Sequence, residues 1–200
     1  MNQKNVNTCL VEARLTSITF SFKRIWAFIV GIFSVPKSPI TEEQLLQDAE
    51  DILQQHRMQV CELLMKPLTP KVEITFSING TTPIAATSGT NIGLNLQYFQ
   101  THDDPGAIVH EIVHAIEQAP DYTGEFWWMI EGIADFIRYK AELGTLDRGD
   151  PRHGYKEAAD FFNHYYNSDY EKYKALVTSV NAGVLLSNID QLVQDYLATG

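Results

Sequence analysis

Residues 110–114 read His110-Glu111-Ile112-Val113-His114, and the interpretation of the whole chain starts from this pentapeptide. In a helix, residues four apart lie on one face about one turn apart, so the two imidazoles would point the same way. Neutral imidazole nitrogens are good zinc ligands, and two from one rigid helix supply part of a tetrahedral site. Glu111 would then lie where its carboxylate can take a proton from a metal-bound water. The pattern predicts a metal-dependent hydrolytic site.

Two carboxylates on the next predicted helix could complete this site. A hydrolytic zinc site uses three protein ligands and leaves the fourth position to water. Glu131 follows His114 by 17 residues and lies among apolar residues, where an unpaired carboxylate would be costly. Asp135, on the same helical face, could accept a hydrogen bond from a ligating histidine and orient its ring. The small residues Gly132 and Ala134 predict that the two helices pack closely.

The segments on both sides of these motifs predict an α+β domain, with a small strand region followed by a mostly helical half. Thr41 is the expected cap of a first helix that ends by Pro67. Alternation of apolar and polar residues predicts strands at 71–78 and 92–99. Helical spacing predicts further helices at about 106–118, 125–143, 155–166, 169–182 and 189–197.

Length and charge narrow the possible functions. The chain has 200 residues, of which 44% are hydrophobic and 20% charged, which suits one domain with a sizeable core. The net charge is -10, and an acidic surface argues against binding to a phosphate backbone. We therefore expect no nucleic acid partner, and we expect a monomer.

Two stretches of the sequence resemble a known family. HEIVHAIEQ at 110–118 and WMIEGIADFIRYKAEL at 128–143 are similar to the basic secretory protein family of plants and microbes, and more broadly to the thermolysin-like glutamate zincins. The likeness covers roughly residues 70–197 and is most specific around residues 131–135. It implies a thermolysin-like zincin catalytic core. This chain departs from the plant proteins in being acidic, which leaves its partners and compartment open.

The resemblance also implies the roles of individual residues. Members of this family are considered zinc-dependent peptidases, so we expect one Zn²⁺ per chain, bound by His110, His114 and Glu131. Glu111 would be the general base that activates water and later protonates the leaving amine. Asp135 would hold one of the ligating histidines in place.

Two further roles follow from the resemblance and from analogy with zincins. An edge strand would pair with the extended substrate, and this strand is expected to comprise Ile92, Gly93, Leu94, Asn95 and Leu96. A donor is also needed for the oxyanion that forms during hydrolysis. Tyr155 is the first choice for that donor, and His153 is the second.

The first 35 residues have a different character from the rest. A basic pair is followed by an apolar run at 25–35, which is shorter than the roughly 20 residues that a membrane span needs. The run resembles an export signal, while a membrane anchor and a buried helix stay open. We therefore expect an export signal or anchor at 1–35 and a zincin-like metallopeptidase domain at 36–200. The protein would be secreted or membrane-anchored on the export side, and a cytoplasmic location stays open.

Two alternative functions come from other classes. The chain could be a catalytically inactive zincin that binds peptides or has a structural role. The presence of Glu111 speaks against this, because binding alone needs no general base. The chain could also be a helical membrane-associated factor that depends on residues 25–35.

Overall fold

The computed structural model describes residues 39–68, 72–119 and 124–199. In these ranges the chain is α+β and mostly helical, with a small three-stranded sheet. This confirms the predicted α+β class, with a small strand region and a mostly helical half.

The chain divides into two units, Met1–Pro39 and Ile40–Gly200, and every helix and strand named below belongs to the second. The export signal or anchor predicted for residues 1–35 lies outside the described residues and stays a prediction. Among the helices that are described, none combines the length and the apolar character needed to cross a membrane.

Helix α1 (Glu42–Leu63) begins where the sequence predicts. The Thr41 hydroxyl accepts a hydrogen bond from the backbone N–H of Gln44 at 3.2 Å. This bond satisfies one of the amide groups that the first helical turn leaves unpaired. Leu45, Ala49 and other apolar residues on one face are buried, so α1 packs onto the later helices and the sheet.

The sheet consists of β1 (Thr75–Ile78), β2 (Ala85–Ser88) and β3 (Asn91–Leu94) in the order β1-β3-β2. Strand β3 pairs in parallel with β1 and antiparallel with β2. Ile92 and Leu94 on β3 are fully buried, so the central strand anchors the sheet to the core.

The structure corrects the predicted strands. The edge position expected for the strand at Ile92, Gly93, Leu94, Asn95 and Leu96 is wrong, because β3 has a neighbour on each side. The predicted strand also ends early: the Asn95 side chain accepts a hydrogen bond from the Gln97 backbone N–H at 3.0 Å and caps a short helix, α2 (Leu96–Phe99). Strand β2 was not predicted, since Ala-Ala-Thr-Ser has no alternation of apolar and polar residues.

The helical half agrees well with the sequence pattern. Its α-helices are α3 (Pro105–Glu117), α4 (Trp127–Lys140), α5 (Tyr155–Ser168), α6 (Tyr170–Ala182) and α7 (Ile189–Leu197). Short 3₁₀ turns at Gly124–Phe126 and Pro151–His153 precede α4 and α5. The Asp104 side chain caps α3 by accepting a hydrogen bond from the Ala107 N–H at 3.1 Å.

Helix α4 lies at the centre of this half. All ten residues from 128 to 137 are buried, and α4 packs against α3 on one side and α5 on another. A helix that is buried all round must pair any charge that it carries. This requirement decides where its two carboxylates can go.

Gly132 allows the closest approach of α4 to a neighbour, but that neighbour is α5 and not α3 as the sequence suggested. A Cβ atom at Gly132 would lie 2.5 Å from the Cβ of Ala158 and 3.3 Å from its Cα. Neither atom can rotate out of the way, since both are fixed to the α5 backbone. The helices would have to separate.

We expect Gly132→Ala to lower the free energy of unfolding by about 1 kcal/mol. Overpacking typically costs about 1–3 kcal/mol, and the gain of about 1 kcal/mol from alanine in a helix offsets part of that cost. Urea unfolding would measure the change. Gly80→Ala is the control, because open space surrounds Gly80, and it should change stability by less than about 0.5 kcal/mol. Equal stability of the two variants would contradict the packing argument.

Candidate metal site

Helices α3 and α4 bring together His110, His114 and Glu131, whose ligand atoms all lie within 4.8 Å of one another. The Nε2 atom of His110 lies 3.0 Å from Nε2 of His114 and 3.0 Å from Oε2 of Glu131. Nε2 of His114 lies 3.8 Å from Oε1 of Glu131. The helical spacing of four residues puts the imidazoles side by side, and the packing of α4 supplies the carboxylate.

These separations fit a metal ion. Ligands about 2.0–2.1 Å from a tetrahedral ion are about 3.4 Å from one another. The three distances of 3.0, 3.0 and 3.8 Å lie on both sides of that value. Two imidazole nitrogens and one carboxylate oxygen are also a donor set that divalent transition metals accept. His110, His114 and Glu131 could therefore hold a metal ion.

Glu131 is ionised in this environment despite its burial. Only 3% of the residue is exposed. Burial alone would raise the pKa of Glu131, but hydrogen bonds to His110 and His114 outweigh that effect and lower it to about 2. An anionic oxygen is therefore available as a ligand.

Asp135 lies behind His110, one helical turn after Glu131. Its Oδ1 lies 2.8 Å from Nδ1 of His110, so the other ring nitrogen faces the three-donor cluster. Burial lowers the pKa of His110, but its hydrogen bonds to Asp135 and Glu131 outweigh burial and raise it. A carboxylate in this position fixes the ring orientation and strengthens the imidazole as a ligand.

Arg138 connects Asp135 to the beginning of α3. Its Nη1 lies 3.9 Å from Asp135 Oδ1, and its Nη2 donates to Asp104 Oδ1 at 2.8 Å. Nε donates to the carbonyl of Leu143 at 3.1 Å. The guanidinium thus joins the cap of the histidine-bearing helix to the carboxylate that holds His110.

His114 also has a carboxylate neighbour on its own helix. Glu117 Oε2 lies 3.8 Å from His114 Nδ1, and only 1% of Glu117 is exposed. Burial lowers the pKa of His114, but Glu117 and Glu131 outweigh that effect and raise it to about 10. Burial also raises the pKa of Glu117, and His114 offsets part of that rise.

Glu111 projects from α3 into the cleft beside the cluster and is held by β2. The Thr87 hydroxyl lies 2.7 Å from Glu111 Oε2 and 3.0 Å from the Glu111 backbone carbonyl. Both residues line the same cavity as His110 and His114. The expected general base is therefore in the site, on the same helix as two of the metal donors.

A cleft of about 1080 Å³ opens next to the donor cluster. One part of its lining is the segment at 83–87, which runs into β2, and another part is the segment at 153–157, at the beginning of α5. The donor residues His110, His114 and Glu131 on α3 and α4 also line it. This volume and this mixture of apolar and charged groups are typical of a ligand-binding cleft.

Tyr155 reaches the site from an unusual backbone conformation. Its φ angle is 45°, and it follows Gly154 at φ 80°. Its ring centroid is 6.4 Å from that of His110 and 6.1 Å from that of Trp127. Burial, together with the carboxylates of the site, raises the pKa of Tyr155. Strained backbone of this kind is concentrated at functional sites.

His153 lines the same cleft but has another partner. Its Nδ1 lies 3.0 Å from Glu157 Oε2, and 68% of its side chain is exposed. Tyr155 therefore lies beside a residue of the donor cluster, whereas His153 pairs with Glu157. The roles of both residues stay predictions.

Sequence reasoning missed three residues of this site. Glu117 follows His114 by three residues and Arg138 follows Asp135 by three, so helical spacing could have indicated both. Thr87 had no such signal, since its strand was not predicted and its contact with Glu111 spans 24 positions.

An α+β fold with a buried His-His-Glu cluster beside a cleft defines a protein with a candidate metal-dependent active site. A family model described as "Peptidase of plants and bacteria" (BSP) matches residues 40–197. The match covers most of the chain, so this protein belongs to that family. It confirms the peptidase part of the resemblance that the sequence suggested. No significant match was found among curated proteins or among solved structures.

We expect Asp135→Asn to weaken metal binding by about 10- to 100-fold, because the neutral amide holds and polarises His110 less well than a carboxylate. Titration of the metal-free protein with Co²⁺, followed by its visible absorption, would measure the affinity. Asp103→Asn is the control, since Asp103 is exposed and lies outside the cluster. If the two variants bind Co²⁺ equally well, Asp135 does not support the site.

Proposed function

We propose that this protein is a zinc-dependent peptidase of the thermolysin-like zincin type. The observation that carries the proposal is the convergence of His110, His114 and Glu131 beside the carboxylate of Glu111. The peptidase family supplies the reaction class. A set of three ligands leaves one position of a tetrahedral ion open, as a hydrolytic site requires.

Zinc, when bound, would supply Lewis-acid polarisation of the scissile carbonyl. The protein itself would contribute the base that transfers a proton during hydrolysis. The Glu111 carboxylate would accept a proton from the attacking water and then donate it to the nitrogen of the leaving amine. Its location at the cleft, one residue from His110, supports this role.

The substrate would be a peptide in extended conformation, bound along β2. In the described sheet β2 pairs only with β3, so its other edge can accept backbone hydrogen bonds. Residues 83–87 line the cleft, and Ile84 is 37% exposed there. We therefore assign substrate pairing to β2 in place of the strand that the sequence suggested.

Tyr155 is the proposed donor to the oxyanion that develops on the substrate. Its ring lies beside His110 and lines the cleft, and a tyrosine hydroxyl is a hydrogen-bond donor at neutral pH. His153 is the second choice, since its ion pair with Glu157 engages one ring nitrogen.

The proposal also covers the oligomeric state and the cellular location of the enzyme. We propose that it works as a monomer on peptide or protein substrates and that residues 1–35 direct export or membrane attachment. These rest on the sequence alone. Separation of cell membranes from soluble fractions, with the full chain detected by antibody, would test the second point.

Glu111→Gln should abolish peptide hydrolysis while the protein keeps its zinc, because the amide cannot accept the proton while the three ligands His110, His114 and Glu131 are unchanged. Glu131→Ala should lose both zinc and activity. Elemental analysis would measure zinc per chain, and cleavage of casein would measure activity. Glu62→Gln, at an exposed position on α1, is the matched control and should behave as the parent protein.

Two results would contradict the proposal in different ways. A parent protein that takes up no zinc would exclude the metal-dependent mechanism. A parent protein that binds one zinc but cleaves no substrate would favour the alternative, an inactive zincin that binds peptides.

Tyr155→Phe should lower kcat by about 100-fold with KM and zinc content nearly unchanged, because a lost oxyanion donor costs stabilisation only in the transition state. Steady-state kinetics on a fluorogenic peptide would show this. Tyr170→Phe is the control: Tyr170 is 50% exposed and Tyr155 51%, but Tyr170 does not line the cleft. An unchanged kcat in Tyr155→Phe would transfer the role to another donor, with His153 the next to test.

A further inference from the structure

The hydroxyl of Thr87 makes a short contact with the side chain of Glu111. It lies 2.7 Å from Glu111 Oε2 and 3.0 Å from the Glu111 backbone carbonyl. Both oxygens can only accept a hydrogen bond and the hydroxyl has a single proton, so we assign that proton to the shorter contact, with Glu111 Oε2. Hydrogen bonds to an ionised acceptor at such distances are stronger than neutral ones.

Thr87 lies on β2, which is held in place by its pairing with the buried strand β3. Its strand pairs with β3 over the whole of β2, with Thr87 opposite Ile92. Ile92 is fully buried in the core. Thr87 is half-buried while its neighbours Ala86 and Ser88 are exposed, so its side chain is on the face of β2 towards α3. A β-branched residue also has few χ1 states, which keeps the hydroxyl in place.

The Glu111 side chain benefits from such support, because it is long and can adopt several conformations. Glutamate has three χ angles, and the last of them is broad. A base that moves between rotamers spends only part of its time where it can reach the attacking water, and small displacements of a reacting group cost rate.

We propose that Thr87 is a positioning residue for the general base. Its hydroxyl holds Oε2 of Glu111, which leaves Oε1 to accept the proton from the attacking water. This inference rests on the proposed peptidase function. It also joins two parts of the reaction, since β2, which is assigned to pair with the substrate, carries the group that fixes the base.

The experiment compares two substitutions in the full-length protein. Thr87→Val keeps the shape of the side chain and removes the hydroxyl, whereas Thr87→Ser keeps the hydroxyl. We expect Thr87→Val to lower kcat by about tenfold, with KM and zinc content unchanged, because the lost hydrogen bond acts on the base and not on substrate binding. Thr87→Ser should restore most of the rate.

Thr101→Val is the matched control. The Thr101 hydroxyl donates to the carbonyl of Tyr98 at 3.0 Å, away from the cleft, so its loss should leave kcat unchanged. Equal losses in Thr87→Val and Thr101→Val, or a Thr87→Ser variant as slow as Thr87→Val, would overturn the proposal.

A second measurement on the metal-free protein needs no activity. In a double-mutant cycle of urea unfolding, Thr87→Val should destabilise the parent protein but have a much smaller effect in the Glu111→Ala background. Equal effects in the two backgrounds would mean that the Thr87 hydroxyl bonds to the Glu111 backbone carbonyl and not to its carboxylate, which would overturn the proposal.

The outcomes also separate this inference from the proposed function. If the parent protein is an active peptidase and Thr87→Val retains its kcat, the role of Thr87 is wrong and the proposed function stands. If the zinc-loaded parent protein cleaves no peptide, the proposed function is wrong, and the role of Thr87 in catalysis is wrong with it.

Discussion

The packing of the central helices depends on two buried carboxylates of helix α4, which need partners for their charge. Glu131 is 3% exposed and Asp135 is 6% exposed, and a buried charge without a partner costs several kcal/mol or more. Their partners are the imidazoles of α3, so α3 has to pack against α4 in the one arrangement that matches nitrogen to oxygen. Arg138 extends the same network to Asp104 at the beginning of α3. Charge pairing in the core thus fixes how α3 and α4 pack against each other.

Around this helix pair, the rest of the fold contributes the walls of the cleft. Strand β2 supplies one wall, and its position follows from the buried strand β3 beside it. The turn before α5 supplies another, where Gly154 has φ 80° and a Cβ at that position would lie 2.5 Å from the Trp127 ring. Only glycine fits there, and the tight turn directs Tyr155 towards His110. Rigid helices therefore hold the metal donors, while a strand edge and a turn hold the groups that would meet a substrate.

The sequence predicts the parts of this arrangement that are local in the chain. The spacing of four residues in a helix is enough to place His110 beside His114, and Glu131 on one face with Asp135, before any tertiary contact is known. The helical half follows from the same periodicity. The sheet does not, because strand order is decided by contacts between distant segments, and β2 carries no pattern of its own. The contacts of Thr87 with Glu111 and of Gly132 with α5 are invisible for the same reason.

The location of the donor cluster also has a thermodynamic consequence. His114 and Glu131 lie on either side of the stretch that joins α3 to α4, so an ion bound to both would close this stretch into a loop. An ion that binds the folded state and not the unfolded chain stabilises the folded state by mass action. Because metal binding would be coupled to folding, a tighter metal site would also make the protein harder to unfold. The free energy of unfolding would therefore rise with the concentration of free metal ion around the protein.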